Sequence, residues 1–185
     1  MQTHSRNLLA LCNRVTTAMA WLSGLLFLIM ALYMTADVTS RSLGGPFTGV
    51  ADTFAAFTLA LGGTWALARA LSDGSHVRID LFLPLYSTRI KGYLYTWSML
   101  MAALFGAVLA WQAWVLVDKS AARDALVPQS LVDVPLAIPQ AFAAVGYSMF
   151  TLQAVVMTLV AITLLFTDHG DLIEDLERHE AGPQI

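Results

Sequence analysis

Charge is what this 185-residue chain has least of: Asp, Glu, Lys and Arg make up 12% of it. An average soluble domain carries ~25%. The few charges are bunched rather than spread, which points to lipid as the solvent and excludes an ordinary water-soluble domain. Cysteine is nearly absent. Cys12 alone excludes an intrachain disulfide framework and any relay needing paired thiols, and it reads as an inert thiol near the start of the first helix. No basic tract suggests nucleic acid, and a net charge of −3 says nothing further about partners.

What is present is apolar surface, 57% of the residues. A span needs ~20 mainly apolar residues to cross a hydrocarbon core ~30 Å thick. Four stretches qualify, at 15–36, 51–71, 93–117 and 139–166. The fold expected is therefore an all-α integral membrane protein with four transmembrane helices. It divides into an N-terminal tail (1–14), a membrane domain (15–166) and an acidic tail (167–185). The first stretch is too long for a signal h-region of ~7–15 residues and has no convincing cleavage site, so it reads as a retained helix. Breakers separate the stretches: Gly44-Gly45-Pro46, Asp73-Gly74-Ser75, and Pro128, Pro135 and Pro139.

Charges bracket these spans, and inside the stated bounds only Asp52 and Arg69 occur, each within two residues of an end of the second span. A central Asp, Lys or Arg costs ~2.5–3.5 kcal/mol, far more than one Leu returns. The emptiness also removes chemistry. A haem carrier needs facing histidines inside helices, yet His4, His76, His169 and His179 all lie outside the spans. No His-Glu-x-x-His pattern exists for a metal hydrolase. Ser98 and Ser148 sit at membrane depth with no His or Asp at that depth to activate them. Neither an enzyme nor a cofactor is expected. A self-contained ion-coupled transporter is disfavoured too, because intramembrane ionisable residues mark ion pathways. A sodium site of backbone carbonyls would want broken helices, and no span has an internal proline. Gln112, Gln140 and Gln153 are the strongest polar groups left, and interhelical hydrogen bonds are their expected use.

Lys and Arg in the short connections set orientation. Arg6, Arg14, Arg69, Arg78, Arg89, Lys91 and Arg178 fall on one side, against Arg41, Lys119 and Arg123 on the other. That asymmetry predicts both termini in the cytoplasm. Trp21 and Trp97 near one membrane face, and Trp111 and Trp114 near the other, suit rings at headgroup level. Residues 80–94 mix Leu, Phe and Tyr with Arg89 and Lys91, and read either as an interfacial amphipathic helix or as a loop running into a helix.

The helices also offer packing surface. Ala56, Ala60, Thr64 and Ala68 recur every fourth residue beside Gly62 and Gly63, and Ala102, Gly106 and Ala110 do the same. Small residues at this spacing let helices approach closely in lipid. Such stripes pack either within the four-helix unit or against another membrane protein.

Three patches carry a family resemblance. Asp37-Val38 and Arg41 end the first span, with Asp52 at the start of the second. Gly74-Ser75-His76-Val77-Arg78-Ile79-Asp80 follows the second. Val134-Pro135-Leu136-Ala137-Ile138-Pro139 enters the fourth, with Gly146 beyond. Together with four spans, these resemble the small permease (Q, DctQ-type) subunit of tripartite ATP-independent periplasmic (TRAP) transporters, over roughly residues 15–165. Asp52 stands where the family more usually has Glu, and Ala137 where an aromatic is common. The resemblance implies a non-catalytic subunit of a sodium-coupled organic acid transporter in the bacterial inner membrane. Its implied partners are a large permease (M) subunit, whose scaffold it braces, and a periplasmic solute-binding (P) protein, which it helps to dock. Arg41, Asp52, His76, Arg78 and Asp80 are then candidates for anchoring loops to the large subunit or to phospholipid headgroups. Lys119 and Arg123 are candidates for periplasmic docking. The competing reading is a stand-alone four-span scaffold or assembly protein.

Overall fold

The computed structural model describes residues 2–45, 51–73, 88–127 and 134–166. The described residues form four α-helices: α1 (Gln2–Ser42), α2 (Ala51–Ser72), α3 (Thr88–Ala122) and α4 (Ala137–Phe166). All four are long and apolar enough to cross a membrane.

Two helices overrun the apolar stretches that locate them. α1 has 41 residues and α3 has 35. At ~1.5 Å per residue they reach about 60 and 50 Å, well beyond a ~30 Å hydrocarbon core. Hydropathy marks where lipid begins, whereas the hydrogen-bond ladder runs on into water. Residues 2–14 are thus helical and continuous with the first span. The segment 74–87 lies outside the described residues, so of the interfacial segment only 88–94 is seen, as the start of α3.

Local chemistry ends the helices. After α1, Gly44 adopts φ 82°, and its N–H donates to Arg41 O while Gly45 N–H donates to Ser40 O. This paired pattern satisfies carbonyls that the helix end leaves open. α3 ends in the same way, but with Asp124 in the left-handed position at φ 46°, its N–H donating to Ala121 O and that of Ala125 to Ser120 O. Pro139 lies in the first turn of α4, where its missing N–H breaks no helical bond. Val127 and Leu136 N–H groups bond Val134 and Ala125 carbonyls, at 3.0 and 2.8 Å, and tie the end of α3 to the start of α4.

The helices stand in the spatial order α1–α2–α4–α3. The main contacts are α3 with α4, α1 with α2 and α2 with α4, and α1 touches α4 less. α4 is accordingly the most enclosed helix, with 39% of its apolar window buried, against 11% for α1. The core cluster joins Ala68 and Leu71 of α2, Met99 and Ala103 of α3, and Phe150, Ala154 and Met157 of α4. Without a hydrophobic force between helices in lipid, close packing drives their association. Two glycines mark where it is tightest: Gly146 of α4 lies against Thr64, and Gly106 of α3 against Phe150 and Thr151.

Candidate functional site

A line of buried, mostly polar side chains runs along one side of α1. Thr16, Ser23, Met30 and Asp37, seven residues apart, are all buried. A seven-residue repeat keeps one seam of a helix facing its neighbours. Three of the four positions are polar, so this seam turns hydrogen-bonding groups inward, while Leu25, Phe27, Leu28, Ile29 and Leu32 are exposed.

At the end of the bundle near Asn13, three helices share a polar network. Gln153 of α4, 1% exposed, donates from Nε2 to Asn13 Oδ1 of α1 at 2.9 Å. Thr17 Oγ1 donates to Asn13 O at 2.6 Å and accepts from Arg69 Nη1 of α2 at 2.8 Å. Arg69 also grips Asp73, one turn on, through Nε at 2.8 Å and Nη2 at 2.6 Å. Gln153 Oε1 is buried with no hydrogen-bond partner among the described residues, and so is Gln140 Oε1 at the opposite end of α4.

Midway, Ser23 Oγ donates to the Gly62 carbonyl at 2.6 Å, joining α1 to α2. Trp65 Nε1 reaches Phe142 O at 3.0 Å and Trp114 Nε1 reaches Ser148 Oγ at 3.1 Å, joining α2 and α3 to α4. At the far end of α1, the buried Asp37 carboxylate accepts from Arg41 Nε at 2.8 Å. Its side chain is 2% exposed, against 36% for Arg41.

The residues singled out from sequence are distributed as follows. Arg41 engages Asp37 within α1, and the Asp52 side chain across the turn lies outside the described residues. His76, Arg78 and Asp80 also lie outside them. Lys119 and Arg123 are exposed at the end of α3. The α3 stripe adjoins α4, with Gly106 buried and Ala102 packed on the core. The α2 stripe divides: Thr64 and Ala68 are buried, whereas Ala56 is exposed. Gln153 makes the interhelical bond expected of it, while Gln112 is exposed on α3. Sequence reasoning missed the inward seam of α1 and the burial of Asp37. The seven-residue spacing was the signal for both.

The chain was also compared with known proteins. Residues 30–164 match the family model described as tripartite ATP-independent periplasmic transporters, DctQ component. The chain belongs to the DctQ family. The match spans most of the chain and reaches from the second half of α1 to the end of α4. No curated protein and no solved structure matches the chain.

A DctQ chain is the small membrane subunit of such a transporter, a multi-pass protein that associates with a large permease and a solute-binding protein. The geometry is of a matching kind. Every described charged side chain of this DctQ subunit except Arg14 stands near a helix end, and Arg14 lies well inside α1 but just before its apolar stretch. Among the described residues no group of three His, Cys, Asp or Glu is placed to hold a metal ion. Of its buried polar groups, Ser23 and Gln153 bind helix to helix, while Thr16, Asp37, Thr64 and Thr158 bond within their own helices.

Proposed function

We propose that this DctQ subunit braces the scaffold of the large permease and helps dock the periplasmic solute-binding protein, in a sodium-coupled transporter for an organic acid in the bacterial inner membrane. The observation that carries this reading is the position of the charges. Apart from the helix ends, the spans offer no ionisable group to bind or pass an ion, and a transporter's moving parts require such groups or broken helices. Ion and substrate handling then fall to the large subunit.

Gln112 supports a neighbour on the outer side of α3. It is exposed between Phe105, Val108 and Leu116, which are all exposed too. An exposed amide set among apolar side chains near the membrane face is suited to a hydrogen bond with a partner helix. Both termini are assigned to the cytoplasm from the Lys and Arg asymmetry. Lys119 and Arg123 then face the periplasm, where they serve docking. Arg41, Asp52, His76, Arg78 and Asp80 are assigned to loop anchoring on the large subunit.

Reconstitution tests this. The small and large subunits together with the binding protein should give sodium-dependent uptake of an organic acid into vesicles. Omitting the small subunit should abolish it. Uptake by the small subunit alone, or undiminished uptake without it, would overturn the assignment, and the second result would favour a stand-alone scaffold.

A further inference from the structure

An open groove of about 520 Å³ runs along the outer surface where α1 meets the end of α2, lined by Thr17, Trp21, Gly24, Leu25, Leu28 and Arg69 among others. Trp21, Leu25 and Leu28 are exposed, and a Cβ on Gly24 would have nothing within 4 Å, so the floor is unfilled. The walls are apolar except at one end, where Arg69 Nη1 meets Thr17 Oγ1.

The dimensions and the charge both suit one occupant. From Thr17 to Leu28 the groove follows α1 for ~16 Å at ~1.5 Å per residue. Half of a ~30 Å hydrocarbon core is ~15 Å, the depth of one acyl chain in one leaflet. The polar end lies in the last turn of α2, at headgroup level. Arg14 stands one turn before Thr17 on the same side of α1, by the three- and four-residue spacing of 14, 17, 21, 25 and 28. It is exposed and forms no ion pair among the described residues. Asp73 offsets Arg69 in part, holding it through Nε and Nη2 and leaving Nη1 turned to α1. Arg69 in the groove wall and Arg14 one turn further along α1 offer two guanidinium groups to a phosphate, and arginine stems lie along apolar surface while the heads reach the headgroups.

We propose that this groove is a binding site for one anionic phospholipid, its acyl chain along Gly24, Leu25 and Leu28 and its phosphate between Arg14 and Arg69. The site is independent of the transport role, since it requires only this chain's α1 and α2.

The full-length chain, purified together with its large subunit, would be placed in nanodiscs of equal phosphatidylglycerol and phosphatidylcholine, released, and weighed by native mass spectrometry. The wild type should retain one phosphatidylglycerol in clear preference. Arg14→Gln should lower that retention about fivefold. Gly24→Leu places a side chain in the open groove, where a Cβ meets nothing within 4 Å, and should abolish retention without lowering the unfolding temperature. Equal retention of the two lipids by the wild type would overturn the proposal, as would unchanged phosphatidylglycerol retention in Gly24→Leu. A photo-crosslinking side chain at position 25 should label lipid; an adduct with the large subunit would assign the groove to a helix instead.

Discussion

Gly146 and Thr64 make the closest approach between α2 and α4: a Cβ on the glycine would lie 2.7 Å from Thr64 Cβ and 2.9 Å from the Thr64 carbonyl carbon. Backbone atoms cannot retreat as a flexible side chain does. Gly146→Ala should therefore push the helices apart and cost about 1–3 kcal/mol. Thermal unfolding in detergent reads this as a lower midpoint. Thr64→Gly in the same chain should recover part of the loss. An unchanged midpoint in Gly146→Ala would show that the two helices are not in contact here.

Gln153 and Asn13 should behave as one unit. Replacing either with Leu removes the same interhelical bond, at a cost of about 0.6–2 kcal/mol in a membrane interior. The double variant should lose less than the sum of the two. Strict additivity in a double-mutant cycle would mean that the two amides do not meet.

The two helix-end ion pairs should respond unequally to loss of their arginine. Arg41→Gln leaves the Asp37 carboxylate, 2% exposed, inside the bundle, whereas Arg69→Gln leaves Asp73 at 44% exposure. Stranding a fully buried charge costs about 3–5 kcal/mol, and an exposed pair is worth about 0–1. Arg41 is itself a third exposed, so a loss of about 1–3 kcal/mol is expected for Arg41→Gln, larger than for Arg69→Gln. Equal midpoints for the two variants would contradict that ordering.

Asp124 holds a left-handed backbone conformation, φ 46°, in the same closing pattern that uses glycine after α1. Asp124→Gly should raise stability by about 0.5–1 kcal/mol, because glycine takes that conformation without the steric cost. A lower unfolding midpoint would indicate that the aspartate side chain makes a contact worth more than the relief.

Charge reversal at the exposed end of α3 tests docking. Lys119→Glu with Arg123→Glu should slow uptake into reconstituted vesicles at low binding-protein concentration, with recovery at high concentration. An unchanged dependence on binding protein would remove both residues from the docking surface.

Much of this architecture was legible in advance because lipid imposes a simple rule: about twenty residues without charge per crossing. That rule located α2 and α4 almost to the residue, and it left α1 and α3 short because it is blind to helix continuing in water. Gly106, in one of the small-residue stripes, lies against Phe150 and Thr151 of α4. Neighbours were not legible. Nothing in the spacing of Ala56, Ala60, Thr64 and Ala68 says that only its later half meets α4. Asp37 shows a subtler limit. Charge counting placed it just outside the first span and gave it no partner. The helix instead continues to Ser42, which puts Arg41 one turn from Asp37 and in reach of it. The Thr16–Ser23–Met30–Asp37 seam escaped notice because a hydropathy average sums over all sides of a helix.

The spatial order α1–α2–α4–α3 bears on how the chain is made. α1 with α2, and α3 with α4, are neighbours both along the chain and in space. Each pair leaves the ribosome as a self-matched hairpin, the first before the second. The meeting of α2 with α4, through Thr64 and Gly146, and of α1 with α4, through Asn13 and Gln153, unites the halves. Biogenesis thus reduces to two successive insertions followed by one lateral docking within the bilayer.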